Sequence, residues 1–99
     1  MAETYQEAIA SRKVSKFQFT KVSKDLRLQL TREDVGASLF KEITSCYGEL
    51  SAYYEQCLED NEEVIATDTR AGAREKAEAW ASDLRDVFKE LEKEVMENL

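Results

Sequence analysis

Three groups of residues in this sequence could do chemistry: acidic pairs at helical spacing, a lysine-rich stretch around two phenylalanines, and two cysteines. Glu59-x-x-Glu62 and Asp83-x-x-Asp86 each put two carboxylates one helical turn apart, and hard divalent ions take oxygen ligands of this kind. Arg12, Lys13, Lys16, Lys21 and Lys24 surround Phe17 and Phe19. Cations interleaved with aromatic rings can hold phosphates and stack bases, so these five are candidate anion-binding residues. Cys46 and Cys57 are candidate thiols. The chain has no histidine, which removes the usual Ser-His and Cys-His nucleophile pairs. It also has no CxxC, no Walker motif and no glycine-rich phosphate loop.

The two acidic pairs resemble the paired acidic motifs of all-α nucleotide pyrophosphohydrolases of the MazG and dUTPase type, on these four residues. That resemblance implies Mg²⁺ held by carboxylates from facing helices, and a nucleotide hydrolase. The helical register argues otherwise. Glu59 and Asp86 fall opposite the apolar stripes of their helices, so the pairs read as solvated surface charge, and no metal or other cofactor is expected. Cys46 and Cys57 lie eleven residues apart on one predicted helix. A rise of ~1.5 Å per residue separates them by ~16 Å, beyond the ~7 Å reach of a disulfide. Both fall on the apolar stripe of an acidic helix, so they read as small core residues with unactivated thiols.

The elements that must position these groups are two helical stripes. Leu39, Ile43, Cys46, Leu50, Tyr53 and Cys57 alternate steps of four and three, as do Ala77, Trp80, Leu84, Val87 and Leu91, with Phe88 and Val95 alongside. Between them, Ala66-Thr67-Asp68-Thr69 breaks the pattern and supplies helix-start residues. The expected fold is mainly α: a long antiparallel helical hairpin in which Thr31-Arg32-Glu33-Asp34 starts the first helix. That helix runs to about Glu63, Val64 and Ile65 close its end, and Thr67, Asp68 or Thr69 caps the next. All three glycines then lie within predicted helix. Phe40, Tyr47 and Tyr54 recur every seven residues and widen the first stripe, while Ser45, Gly48 and Ala52 form a small-residue face that invites another backbone. With Trp80 and Phe88, the residues Phe40, Tyr47, Gly48 and Tyr54 are the candidate oligomer or partner interface.

The first thirty residues are less regular. Ala2 to about Val14 reads as a short helix, with acids early and cations late. Phe17-Gln18-Phe19 and Leu26-Arg27-Leu28-Gln29-Leu30 then alternate apolar with polar, which predicts a short extended or β-hairpin-like segment, against the competing reading of a helical or irregular arm.

Ninety-nine residues make one domain (1–99) with a modest core. Residues 1–30 form a basic segment with six cations against three acids, and residues 31–99 an acidic one with eight against eighteen. The simplest consequence is that one docks on the other, within or between chains. A core this small calls for disulfides, metal or self-association; two cysteines that cannot pair within one helix and the lack of histidine leave self-association. No signal peptide, long apolar run or lipidation motif is present, so the expectation is a cytoplasmic protein without a membrane. The function expected is that of a small protein–protein interaction or regulatory protein: an adaptor, inhibitor, chaperone or phage-type accessory protein. Its partners would be a second copy of itself, as a dimer or higher homo-oligomer in a helical bundle, and another protein. The alternative is a binder of nucleotide or nucleic acid through the basic segment at a subunit junction. An Mg²⁺-dependent hydrolase stands third, and no enzyme is expected.

Overall fold

The computed structural model describes residues 4–32 and 37–98 as three helices, α1 (Tyr5–Leu30), α2 (Ala37–Thr67) and α3 (Ala73–Asn98). No strand occurs among the described residues, and the chain is mainly α. The bundle is long and narrow, 51 × 21 × 14 Å. None of the helices described is long and apolar enough to cross a membrane.

The extended segment expected at residues 15–30 is helix instead, and the short helix ending near Val14 continues through it to Leu30. The buried positions explain why. Ala8, Ser15, Phe19, Val22, Ser23 and Leu26 lie inward at helical spacing. The alternation Phe17/Phe19 and Leu26/Leu28/Leu30 counts only large side chains and overlooks Ser15 and Ser23, which belong to the buried stripe. A serine can take such a place when its hydroxyl is satisfied. Ser23 Oγ donates to the Phe19 carbonyl at 2.7 Å, and Ser15 Oγ to Asp60 Oδ2 at 2.7 Å. Thr4 caps α1 by accepting from the Glu7 amide at 3.2 Å. Thr31, expected to open the next helix, closes this one: its amide bonds the Arg27 carbonyl and its hydroxyl the Leu28 carbonyl. Glu33, Asp34 and Gly36 lie outside the described residues.

α2 is the central element. Ile43, Cys46, Leu50 and Cys57 are buried along it, and Ala77, Leu84, Phe88, Leu91 and Val95 along α3. Contacts between α2 and α3 run in opposite sequence directions, from Asn61 with Ala77 through Tyr54 with Phe88 to Tyr47 with Glu92. α1 pairs with α2 in the same opposed sense, from Ser15 with Asp60 to Cys46 with Val22. The apolar stripes of α2 and α3 are therefore covered by α1 within one chain. One tier crosses all three helices. The rings of Tyr54 and Phe88 stack at 4.3 Å and 4°, and Phe19 meets Tyr54 at 6.2 Å. Stacked and tilted aromatic pairs add about 0.5–1.5 kcal/mol each beyond their buried area.

The α2–α3 connection is a polar staple. α2 runs on to Thr67, past the expected end near Glu63. Asp68 does not cap α3. Its carboxylate accepts from the backbone amide, Nε and Nη2 of Arg70, at 3.1, 2.9 and 2.7 Å. Gly72, expected within a helix, instead sits in the connection at φ 78°, a left-handed conformation that glycine adopts without strain. Its carbonyl accepts from Lys76 as α3 begins. Arg70 also donates to the Tyr5 hydroxyl at 2.7 Å and lies 4.8 Å from that ring's centre, which ties the turn to the start of α1.

Two outcomes follow from this packing. Phe19→Ala should cost about 3–5 kcal/mol in denaturant melts and Phe17→Ala under about 0.5 kcal/mol, whereas a strand pairing would make the two comparable. Arg70 also pulls the Asp68 carboxyl from 3.8 down to about 2. A depressed carboxylate stabilises the fold above its unfolded pKa, and this contribution is lost as pH falls through the folded one. Asp68→Asn should therefore melt below the wild type at neutral pH, and the gap should close between pH ~4 and ~2 in thermal scans.

Candidate interaction surface

Burying Phe19, Val22 and Leu26 fixes what α1 turns outward. Val14, Phe17 and Leu28 stand 62%, 66% and 67% exposed, an unusual state for side chains of this size. Lys13, Lys21 and Lys24 are exposed on the same outer half of the helix, with Ala10 one turn before Lys13. At ~100° per residue, neither acid of α1, Glu7 or Asp25, falls within the arc they span. The back of α1 is therefore a basic and apolar stripe about five turns long.

The structure separates the five candidate anion-binding residues. Lys13, Lys21 and Lys24 share the outer face. Lys16 is half-buried with its ammonium 5.9 Å from the centre of the Phe19 ring. Arg12 turns inward. Its guanidinium lies 4.6 Å from the centre of the Trp80 ring and donates to Asn61 Oδ1 at 2.7 Å. Burial pushes the Arg12 pKa down, and Tyr5 opposes that shift only in part. Asn61, itself buried, passes the contact on by donating to the Ala77 carbonyl at 2.9 Å. Arg12, Asn61 and Ala77 thus join all three helices through polar groups.

The candidate interface residues also divide. Tyr54 and Phe88 form the aromatic tier, and Tyr47 stacks on Phe88 at 6.0 Å while donating to Glu92 Oε2 at 2.6 Å. That bond lowers the Glu92 pKa, while burial and then the same bond raise that of Tyr47. Trp80 is half-buried beneath Arg12. Phe40 is 51% exposed near the start of α2. Gly48 is exposed, and a Cβ added there meets nothing within 4 Å. Its face therefore remains open to a neighbour.

The cysteines and the acidic pairs singled out in the sequence lie apart. Cys46 and Cys57 are buried, and burial raises both thiol pKa values, which keeps them protonated and weakly nucleophilic. Glu59 and Glu62 are exposed on α2, and Asp83 and Asp86 on α3. Among the described residues, no three carboxylates or thiols gather as a metal site would need. A groove of about 840 Å³ lies between the end of α1 and the start of α2, with Asp25, Gln29, Lys41 and Glu49 among its walls. Its lining mixes both charges.

Sequence reasoning missed Val14 and Leu28 as members of this surface, and the polar contacts of buried Ser15 and Asn61 with half-buried Asp60 and Arg12. The signal for the first two was available, since they continue the spacing of Lys21 and Lys24. Comparisons with protein-family models, curated proteins and solved structures find no match to this chain.

Gly48→Ala should stabilise the chain by about 0.5–1 kcal/mol in dilute denaturant melts, because the helix gains propensity and the methyl enters open space.

Proposed function

We propose that this chain acts by binding other macromolecules through the back of α1, as a small protein–protein interaction or regulatory protein of the adaptor, inhibitor, chaperone or accessory kind, and not as an enzyme. The observation that carries the reading is the exposure of Val14, Phe17 and Leu28 within a stripe of lysines. Large apolar side chains ringed by charge, on a helix whose other face is packed, mark a surface that is covered in use. Charge complementarity directs such a face to acidic partners, and apolar contact holds them there. In this reading α2 and α3 form the antiparallel hairpin that supports α1, and self-association uses surface that the core leaves free.

Binding of nucleic acid or nucleotide is the second reading, favoured by the lysines around the exposed Phe17 ring. The acidic remainder of the molecule opposes it.

A photo-crosslinking residue at position 17 or 28 should trap discrete protein partners in native extract, and one at Ser82, exposed on α3, should not. Replacing Lys13, Lys21 and Lys24 with Gln should remove those adducts. Equal labelling at all three positions would sink the reading. Tight binding of labelled single-stranded RNA or DNA at physiological salt, lost in the triple variant, would promote the second one.

A further inference from the structure

The back of α2 carries a stripe that matches the back of α1. Ala10, Val14, Phe17, Lys21, Lys24 and Leu28 are separated by four, three, four, three and four residues, and Gly48, Ala52, Glu55, Glu59, Glu62 and Ala66 by the same steps. All twelve are exposed. At ~100° per residue each set lies within an arc of about 80°. Aligned in parallel, Val14 meets Ala52, Lys21 meets Glu59, Lys24 meets Glu62 and Leu28 meets Ala66. The Phe17 ring falls between Ala52 and the stem of Glu55. The antiparallel alignment sets Val14 against Glu62 and Phe17 against Glu59, and leaves one ion pair, Lys21 with Glu55.

We propose that the chain assembles with itself by docking the back of α1 of one copy onto the back of α2 of the next, in parallel register. The inference rests on reading the back of α1 as a binding surface and names its occupant. Small residues on α2 let the larger side chains of α1 approach, and opposite charges at matching steps set the register. The two stripes lie on the backs of helices packed against each other, so they face away from one another within a copy. The contact is therefore heterologous: each copy offers one face to each of two neighbours, and growth does not stop at a two-fold dimer. One helix laid on one helix stands at or below the lower end of the ~1,200–2,000 Å² typical of stable interfaces, so assembly should require micromolar or higher concentration.

Sedimentation velocity of the full chain over a concentration series tests this. The weight-average mass should rise continuously past that of a dimer. K21E/K24E and E59K/E62K should each weaken association at least tenfold while circular dichroism stays unchanged, since all four side chains are exposed. An equimolar mixture of the two variants should associate again, because each then supplies the complement of the other. A short bis-maleimide should join Leu28→Cys of one copy to Ala66→Cys of another, and fail between Leu28→Cys and Gly48→Cys. A wild type that stays monomeric throughout, charge swaps without effect, or a mixture that does not recover overturns the proposal. If the chain is monomeric but position 17 still crosslinks to a different protein, this pairing fails and the binding surface stands. If neither occurs, both fail.

Discussion

A helix packed on one side cannot bury two residues that lie two apart, and the outer face of α1 follows from that constraint at Phe17 and Phe19. Two steps of ~100° put them on nearly opposite sides of α1. Phe19 is drawn inward by the tier it shares with Tyr54 and Phe88, where one aromatic group from each helix meets the next. Phe17 must then face water, and Leu28 must do so once Leu26 is buried. Exposure of these side chains is therefore a geometric consequence of the core. That the arc around Phe17 and Leu28 also carries Lys13, Lys21 and Lys24 and neither acid of α1 is a separate property of the sequence, and it gives an obligatory exposure a charge.

The aromatic tier sets how each helix is rotated, and polar contacts set where each lies along the axis. A row of apolar contacts tolerates sliding by a turn better than a hydrogen bond does, because a displaced buried polar group costs about 1–3 kcal/mol. Asn61 accepts from Arg12 and donates to the Ala77 carbonyl, so moving any one helix leaves a buried amide unpaired. Arg70 repeats the arrangement at the end of the bundle, between Asp68 and Tyr5. The two contacts lie toward the same end, at the start of α1 and around the α2–α3 turn. Toward the opposite end, Tyr47 donates to Glu92 Oε2 at 2.6 Å and ties α2 to α3 there.

The parts of the fold legible in the sequence were those in which large apolar residues alone mark the buried face. In α2 and α3, Ile43, Cys46, Leu50, Cys57, Leu84 and Leu91 announce a helical stripe and are buried. In α1 the stripe is completed by Ser15 and Ser23, residues that hydrophobicity does not count, so the phenylalanines and leucines show a period of two. The misreading hid the surface as well, since Phe17, Leu28 and the lysines share a face only on a helix. The turn was illegible for a different reason. Thr67, Asp68 and Thr69 all have capping side chains, and only the engagement of Asp68 by Arg70 leaves Gly72 to begin α3.

Charge separation between the first thirty residues and the rest invites the expectation that cations of α1 neutralise acids of α2. In the structure, Arg12 turns inward and Lys16 rests near a ring, while Lys13, Lys21 and Lys24 point outward on the far side of α1 from α2. The intramolecular contact is made by Phe19 and Leu26 and by two hydrogen bonds in which a charged group meets a neutral one, Ser15 with Asp60 and Arg12 with Asn61. Opposite charges on the outer backs of two packed helices add little to the monomer, because ion pairs form at short range and are screened across a Debye length of ~10 Å. They act fully only against another molecule. On the proposed pairing, a basic, apolar back on α1 and an acidic, small-residue back on α2 bear on association more than on folding, and the fold's part is to hold both outward.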